Sequence, residues 1–561
     1  MDFTPVKNFV KNHADLFTFL GLCILFYLIF FHNIGNYALM DVDETRYVSM
    51  AREMFDTKDF LTLHLNGEYF FEKPPLYFWV ECISFALFDK VNEFSARFPV
   101  AFFGMLSCFL LYFTGKKIVS REFGVISSLI LATSMEFTIL AKFAILDIVV
   151  STCVAFAVMF GFITYFCREN RRKYYWWLFY IFSGLAVMAK GIPGFVLPFG
   201  TMFFIGLATK KLKAYFKPQY FIVGMILFLL VVLPWHLIMF RIHDPLFFNE
   251  YIMKHHINRF FSSSEIHRAE PFYFYIVTLL WGLIPWIFSA IALAAAKIKS
   301  FKKFSYDNLS LPQKYMLFNW IGFIVTFVFF SISKTKLITY ILPIFYFTAN
   351  ILGYAWNEYI TQNANKKAVN LSVYIWGGLM IFTGIAAIFT KYYLPEQLYN
   401  DILNAKWLCI TLVLFMGISS VVCAIKDKKR GVFYTYVIFM TLLSAFGTKE
   451  LFNIDYKFGQ NDIMEYAKIA KENGNNVVIF GHGRRYSLLY YYGGHVTFEV
   501  ANNYPYLDEA LKNKNTLFII KKKEYQEIVK NEDDFEILKT GRKYLLIRGK
   551  KDGQKGALGL E

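Results

Sequence analysis

Cysteine is scarce in this chain and scattered. Its seven copies (Cys23, Cys82, Cys108, Cys153, Cys167, Cys409, Cys423) lie in or beside apolar segments, and none forms a CxxC pair. That argues against a disulfide framework or a cysteine-ligated metal. A cleavable leader is also missing. The first apolar run, about 15–32, has no small-residue cleavage site, so it is expected to persist as a first transmembrane helix. Gly481-His482-Gly483 lacks the further glycines of a dinucleotide fingerprint. No pair of broken apolar segments repeats along the chain, which argues against a transporter or flippase.

What the chain does have is apolar and aromatic surface. Of 561 residues, 56% are hydrophobic, with 65 Phe and 37 Tyr. This composition is that of an integral membrane protein whose aromatic residues gather at the interfaces. A net charge of +17 would suggest nucleic acid in a soluble protein. Here the basic residues occupy short loops between apolar runs, so membrane topology accounts for them and no nucleic-acid partner is expected.

Apolar stretches able to cross a bilayer, about 20 residues each, lie near 15–32, 96–114, 123–141, 146–166, 174–190, 192–208, 219–240, 271–296, 314–332, 337–355, 370–391, 406–425 and 431–448. Basic clusters at 116–121, 168–173, 210–217, 297–303, 366–367 and 426–430 alternate with poorly basic loops. The positive-inside rule places those clusters, and the N-terminus, in the cytoplasm. A span at 76–88 would invert every later loop, so that segment is expected to lie along the outer surface. The expected fold is thus a polytopic α-helical membrane unit (1–450) with about thirteen transmembrane helices. Its first outer loop, 37–95, carries juxtamembrane amphipathic helices. After Leu451 a helical stretch (460–473) and strand-like runs at Val477–Phe480, Val496–Val500, Thr516–Ile520 and Tyr544–Ile547 predict a small C-terminal α/β domain, 451–548, followed by a tail, 549–561.

The chemistry-bearing residues sit in the non-basic loops. A helix starting near Asp43 would place Asp43, Arg46 and Tyr47 on one face, although an N-cap with a solvated face is the simpler alternative. Glu72-Lys73 precede Pro74-Pro75, which stiffen the backbone and aim the dipeptide. Asp147 falls at the edge of a span. Lys190 occupies the tight Ala189-Lys190-Gly191-Ile192-Pro193 hairpin, where a snorkelling lysine is the simpler alternative. The loop 241–270 contains Lys254-His255-His256-Ile257-Asn258-Arg259-Phe260. Its adjacent histidines are the one candidate for a divalent metal, but successive residues on a helix point apart, so no metal or other cofactor is expected. Lys334 and Lys336 lie at a further outer edge, before Tyr340. Cations in a partly dry site suit a phosphate or pyrophosphate, and carboxylates suit sugar hydroxyls, a sugar amine or proton transfer.

Asp43-Glu44-Thr45-Arg46-Tyr47 with Arg52-Glu53-Met54, Phe71-Glu72-Lys73-Pro74-Pro75-Leu76, Ala189-Lys190-Gly191, His256 with Arg259-Phe260, and Lys334-Thr335-Lys336-Leu337 with Tyr340-Ile341-Leu342-Pro343 occur in that order over most of the first 345 residues. Together they resemble the lipid A aminoarabinose transferase (ArnT-like) branch of the GT-C membrane glycosyltransferases, relatives of the protein O-mannosyltransferases. The resemblance implies an enzyme of the bacterial inner membrane with a periplasmic active site and C-terminal domain. It would move a sugar such as 4-amino-4-deoxy-L-arabinose from polyprenyl phosphate to a lipid A phosphate or other periplasmic acceptor, with inversion, as a monomer. It casts Asp43 as the central carboxylate, supported by Glu72, with Asp147 lining the cavity. Lys73, Lys190, Arg259, Tyr340, Lys334 and Lys336 would hold the donor phosphate, and Glu44, Arg46, Tyr47 and His256 would meet the substrates. The loop 241–270 is expected to gate the site. A protein O-mannosyltransferase-like enzyme acting on Ser or Thr is the alternative.

Overall fold

Each of the thirteen apolar stretches is helical in the computed structural model, which describes residues 13–258, 270–298, 306–452, 459–481, 484–499, 515–528 and 535–549. Among the described residues, seven helices are individually long and apolar enough to cross a bilayer, and a bent pair makes an eighth. The other expected spans correspond to shorter or less apolar helices at Arg121–Ala132 with Met135–Leu140, Asp147–Ile163, Glu169–Lys190, Ile192–Ala208 and Ile344–Gln362. Leu230, Leu237, Ile226 and Ile242 of the Pro218–His243 helix remain more than half exposed. Such a surface matches lipid rather than water.

Three expected spans are interrupted, the first of them, 123–141, between Ala132 and Met135. The stretch 271–296 breaks into Phe274–Gly282 and a helix from Ile287, bent by 117°. Pro285 in the break removes a backbone donor and clashes with the preceding turn. The stretch 337–355 becomes a short turn at Ile338–Ile341, then Pro343, then the helix from Ile344. This break leaves residues 333–340 as a loop that can line a cavity.

Inside the bundle, hydroxyls and amides join helices where apolar attraction adds little between chain and lipid. Ser107 Oγ lies 2.8 Å from Thr152 Oγ1 and 2.9 Å from Tyr346 OH, uniting three helices. Asn350 donates to Asn319 Oδ1 at 2.9 Å.

The first outer loop folds as two helices, Asp43–Thr57 and Leu76–Phe88, with a small antiparallel hairpin between them. The hairpin pairs His64–Leu65 with Glu68–Tyr69 across Asn66-Gly67, a dipeptide suited to a tight turn. Both proline rings of Pro74-Pro75 are buried, and Pro75 caps the Leu76 helix.

One buried ion pair ties this loop to the bundle. The Arg97 guanidinium donates from Nε and Nη2 to the two oxygens of Glu44, both at 2.8 Å. Its remaining N–H groups reach the carbonyls of Ile34, Tyr37 and Ala38 at 2.7–2.8 Å. Glu44 also accepts from the amides of Met40 and Ala144. Both side chains are fully enclosed.

The C-terminal residues form a five-stranded mixed sheet, in the order Thr497–Glu499, Asn476–Phe480, Thr516–Lys521, Tyr544–Gly549, Phe535–Thr540. The first three strands are parallel and the last two pair antiparallel. The Phe535 strand was not anticipated, because all but its first residue is exposed. Residues 550–561, most of the expected tail, lie outside the described residues.

This region rests on the first outer loop. Asp41 accepts from the Ser487 amide at 2.7 Å and from its hydroxyl, and the Asp41 amide donates to Gln460 Oε1 at 3.0 Å. Asn66 exchanges two hydrogen bonds with the Val496 backbone.

Replacing Arg97 with Met strands Glu44 as a buried, unpaired charge. Breaking such a pair costs about 3–5 kcal/mol, so the variant is expected to unfold well below the wild type in a detergent melt. An unchanged melting temperature would refute the structural role.

Candidate active site

The helix Asp43–Thr57 presents Asp43, Arg46 and Tyr47 to one side, as the i, i+3, i+4 spacing predicts. Arg46 donates to Asp43 at 3.0 Å and lies against the Tyr47 ring. Its Nε–H has no hydrogen-bond partner among the described residues, so one donor remains for an anion. Burial opposes the Arg46 charge, but Tyr47, Asp43 and Glu72 outweigh it and hold the guanidinium above its ordinary range.

Asp147 opens the helix Asp147–Ile163, where the N-terminal partial charge favours a carboxylate. Facing it, Lys190 ends the helix Glu169–Lys190 and forms an ion pair with Asp147, the two side chains being 12% and 11% exposed. The turn after Lys190 depends on glycine. Gly191 has a φ of +79°, and a side chain at Gly194 would press on the Ala186 backbone. Lys190 Nζ also sits 4.1 Å over the Tyr340 ring, a cation–π contact that keeps the ammonium aimed.

These groups surround one cavity of about 580 Å³. Its wall holds three cations, Arg46, Lys73 and Lys190, against three carboxylates, Asp43, Glu72 and Asp147, with Tyr47, Tyr340, Thr339 and His255. A second cavity of about 330 Å³ shares Glu72, Lys73, Lys190, His255 and Tyr340, then continues along Ile192, Pro193, Val196, Ile257, Phe329 and Phe330. A charged chamber therefore opens into a greasy groove.

The structure does not bring every expected residue here. Glu44 points away, consumed by Arg97, so its expected substrate contact is corrected to a structural role. Lys336 is likewise corrected. Its ammonium donates to the carbonyls of Ser333 and Glu270 at 2.6 and 2.8 Å, and burial holds it below its ordinary pKa. Lys334 is exposed and lines neither cavity. Arg259 lies outside the described residues, and so does the side chain of His256. His255, not anticipated as a site residue, is the histidine that lines the cavity, 4.0 Å from Glu72 and 3.7 Å from Glu250. Its neighbour in sequence was the only signal. Residues Phe248–Asn258 form a π-helix. Among the described residues, no cluster of three or more His, Cys, Asp or Glu side chains is arranged to hold a metal ion.

Comparison with known proteins finds similar sequences and a similar fold. The family of dolichyl-phosphate-mannose-protein mannosyltransferases matches residues 15–247. An undecaprenyl phosphate-alpha-4-amino-4-deoxy-L-arabinose arabinosyl transferase from Sodalis glossinidius is 31% identical over 57% of this chain and 56% of its own length. One from Proteus mirabilis is 26% identical over 75% of this chain and 74% of its own. The crystal structure of ArnT from Cupriavidus metallidurans bound to undecaprenyl phosphate superposes with a TM-score of 0.78 at 18% identity, covering 95% of this chain and 97% of that one. In fold this chain is like ArnT, and in sequence it is similar to undecaprenyl phosphate-aminoarabinose transferases. The sequence match spans little more than half of the Sodalis relative, while the fold match covers nearly all of the Cupriavidus chain.

A double-mutant cycle on Asp147→Asn and Lys190→Met is expected to show a coupling of about 0.5–3 kcal/mol in detergent unfolding. Additive effects would mean that the two charges do not depend on one another.

Proposed function

We propose that this enzyme transfers a sugar, 4-amino-4-deoxy-L-arabinose or another amino sugar, from undecaprenyl phosphate to a phosphate of lipid A. The observation that carries this reading is the charged chamber opening directly into an apolar groove. A donor with a phosphate head and a prenyl tail has that same division. The names of the relatives, which specify an undecaprenyl phosphate-linked aminoarabinose, support the donor. The cavity residues lie in the non-basic loops or at the ends of the spans that adjoin them, which supports a periplasmic site in the bacterial inner membrane. The same reasoning favours a separate periplasmic α/β domain at 451–548 and a gating role for the loop 241–270.

In the reaction, the bond from the anomeric carbon to the donor phosphate breaks and a bond to the acceptor oxygen forms on the opposite face. Undecaprenyl phosphate leaves with the electron pair. Lys73, Lys190 and Arg46 offset the charge that builds on the departing phosphate, in a site where such attraction is strengthened. A phosphate acceptor is already anionic at pH 7, so no proton has to be removed from it. Asp43 and Glu72 then hold the sugar amine or hydroxyls, and Asp147 keeps Lys190 aimed. The match to protein mannosyltransferases favours a second reading, a Ser or Thr acceptor. In that case Asp43 serves as the general base.

Expression in a Gram-negative host lacking its own transferase, followed by mass spectrometry of lipid A, tests the proposal. Wild type is expected to add one sugar mass. Asp43→Asn and Lys73→Ala are expected to reduce that product at least about 100-fold, the usual loss when one charge-stabilising group is removed. A sugar found on protein Ser or Thr, with lipid A unmodified, would replace the first reading with the second.

A further inference from the structure

Beyond the catalytic chamber, a second polar cleft of about 290 Å³ lies between the Asp43 helix and the C-terminal sheet region. Ser49, Arg52 and Asp56 line it from the helix, and Leu489, Gly493 and His495 from the other side. We propose that this cleft is a saccharide subsite that seats a sugar ring of the acceptor outside the bilayer. The inference rests on the glycolipid-acceptor reading above.

Four observations support it. Ser49 is only 5% exposed, and its hydroxyl has no hydrogen-bond partner among the described residues. Leaving such a group unsatisfied is unfavourable, and a ligand hydroxyl bonded to it would remove that cost. Arg52 is fixed before any ligand arrives, since it donates to the Tyr490 carbonyl at 2.6 Å and lies 4.2 Å over the Tyr490 ring. Gly493, with φ +76°, keeps space open beside two cations. A Cβ there would lie 3.2 Å from Lys471 Nζ and 3.5 Å from Arg52 Nη1. Glu53 is tied by the amides of Asn66 and Gly67, both at 2.9 Å, so the rim is rigid.

The charges identify the ligand class. Arg52 and Lys471 are balanced by Glu53 and Asp56, unlike a site built to attract a bare phosphate. Each hydroxyl of a sugar ring both donates and accepts, and this wall offers both kinds of partner. Leu489 supplies an apolar surface for the C–H face of the ring. Position also fits. At 1.5 Å per helical residue, Ser49 lies about 9 Å and Asp56 about 20 Å along the helix from Asp43. One elongated head group therefore reaches from the chamber, which takes its phosphate, to the cleft, which takes a ring.

The test is calorimetric titration of the full-length, detergent-purified enzyme with the deacylated, bisphosphorylated glucosamine disaccharide as probe. Asp56 and His495 are exposed, so Asp56→Arg and His495→Ala are both suited to retaining the fold. Each is expected to weaken probe binding about tenfold, or about 1.4 kcal/mol, and to raise KM for lipid A while kcat and binding of undecaprenyl phosphate are retained. Equal probe affinity in wild type and both variants, or no binding by wild type, overturns the subsite. Transfer assays on the same preparations separate the two readings. Wild-type transfer to lipid A with unaltered KM in both variants removes the subsite alone, whereas no wild-type transfer to lipid A removes the acceptor reading and the subsite with it.

Discussion

The bidentate pair between Glu44 and Arg97 is the contact on which the site's geometry depends. Two desolvated charges are costly, and such a pair is favourable only when every remaining donor and lone pair is also satisfied. Here three carbonyls saturate the guanidinium and two amides complete the carboxylate. The backbone groups recruited this way belong to residues 34–40 and to Ala144. Asp43 directly precedes Glu44, and Asp147 lies three residues after Ala144. A single enclosed interaction thus sets the position of two chamber carboxylates contributed by segments about a hundred residues apart. The chamber itself needs no rigid shell of its own making.

Around that anchor the chamber combines opposite charges in equal number. Three cations facing three carboxylates make an empty cavity that is close to neutral, which avoids the self-repulsion of a purely basic pocket. Arrival of a phosphate shifts the balance toward negative, and so the cations that border the path of the donor matter most. Arg46, with an unused Nε–H, and Lys73, at the junction with the apolar groove, are placed for that role. Lys190 is held between Asp147 and Tyr340, which favours a fixed orientation over reach.

Much of this was legible in the sequence. Hydropathy located every helix of the bundle, and the motifs around Asp43, Glu72, Lys73, Asp147, Lys190 and Tyr340 named residues that do converge. The errors have local causes. Glu44 and Asp43 are adjacent, and a helix turns successive side chains about 100° apart, so one motif supplies both a cavity group and a buried strut. Arg97 looked like any basic residue near a helix start, because its partner lies far away in sequence. His255 lines the cavity from the π-helical segment Phe248–Asn258, where periodicity of an ordinary helix gives no guide to its direction. Lys336 has the composition of an anion ligand, yet two nearby carbonyls take its ammonium. Breaks within spans fall at Thr133-Ser134, at Pro285 and in the loop before Pro343, and hydropathy averages over all three.

The contact between Asp41 and Ser487 joins residues 446 positions apart. Chain growth of roughly 5–20 residues per second separates their synthesis by about 20–90 s. Throughout that interval the loop bearing Asp43 has left the ribosome without the surface that will hold it. Only after the last helix has inserted and the terminal strands have paired does the earliest-made part of the active site meet its support. The earliest-made part of the candidate site therefore gains this contact last.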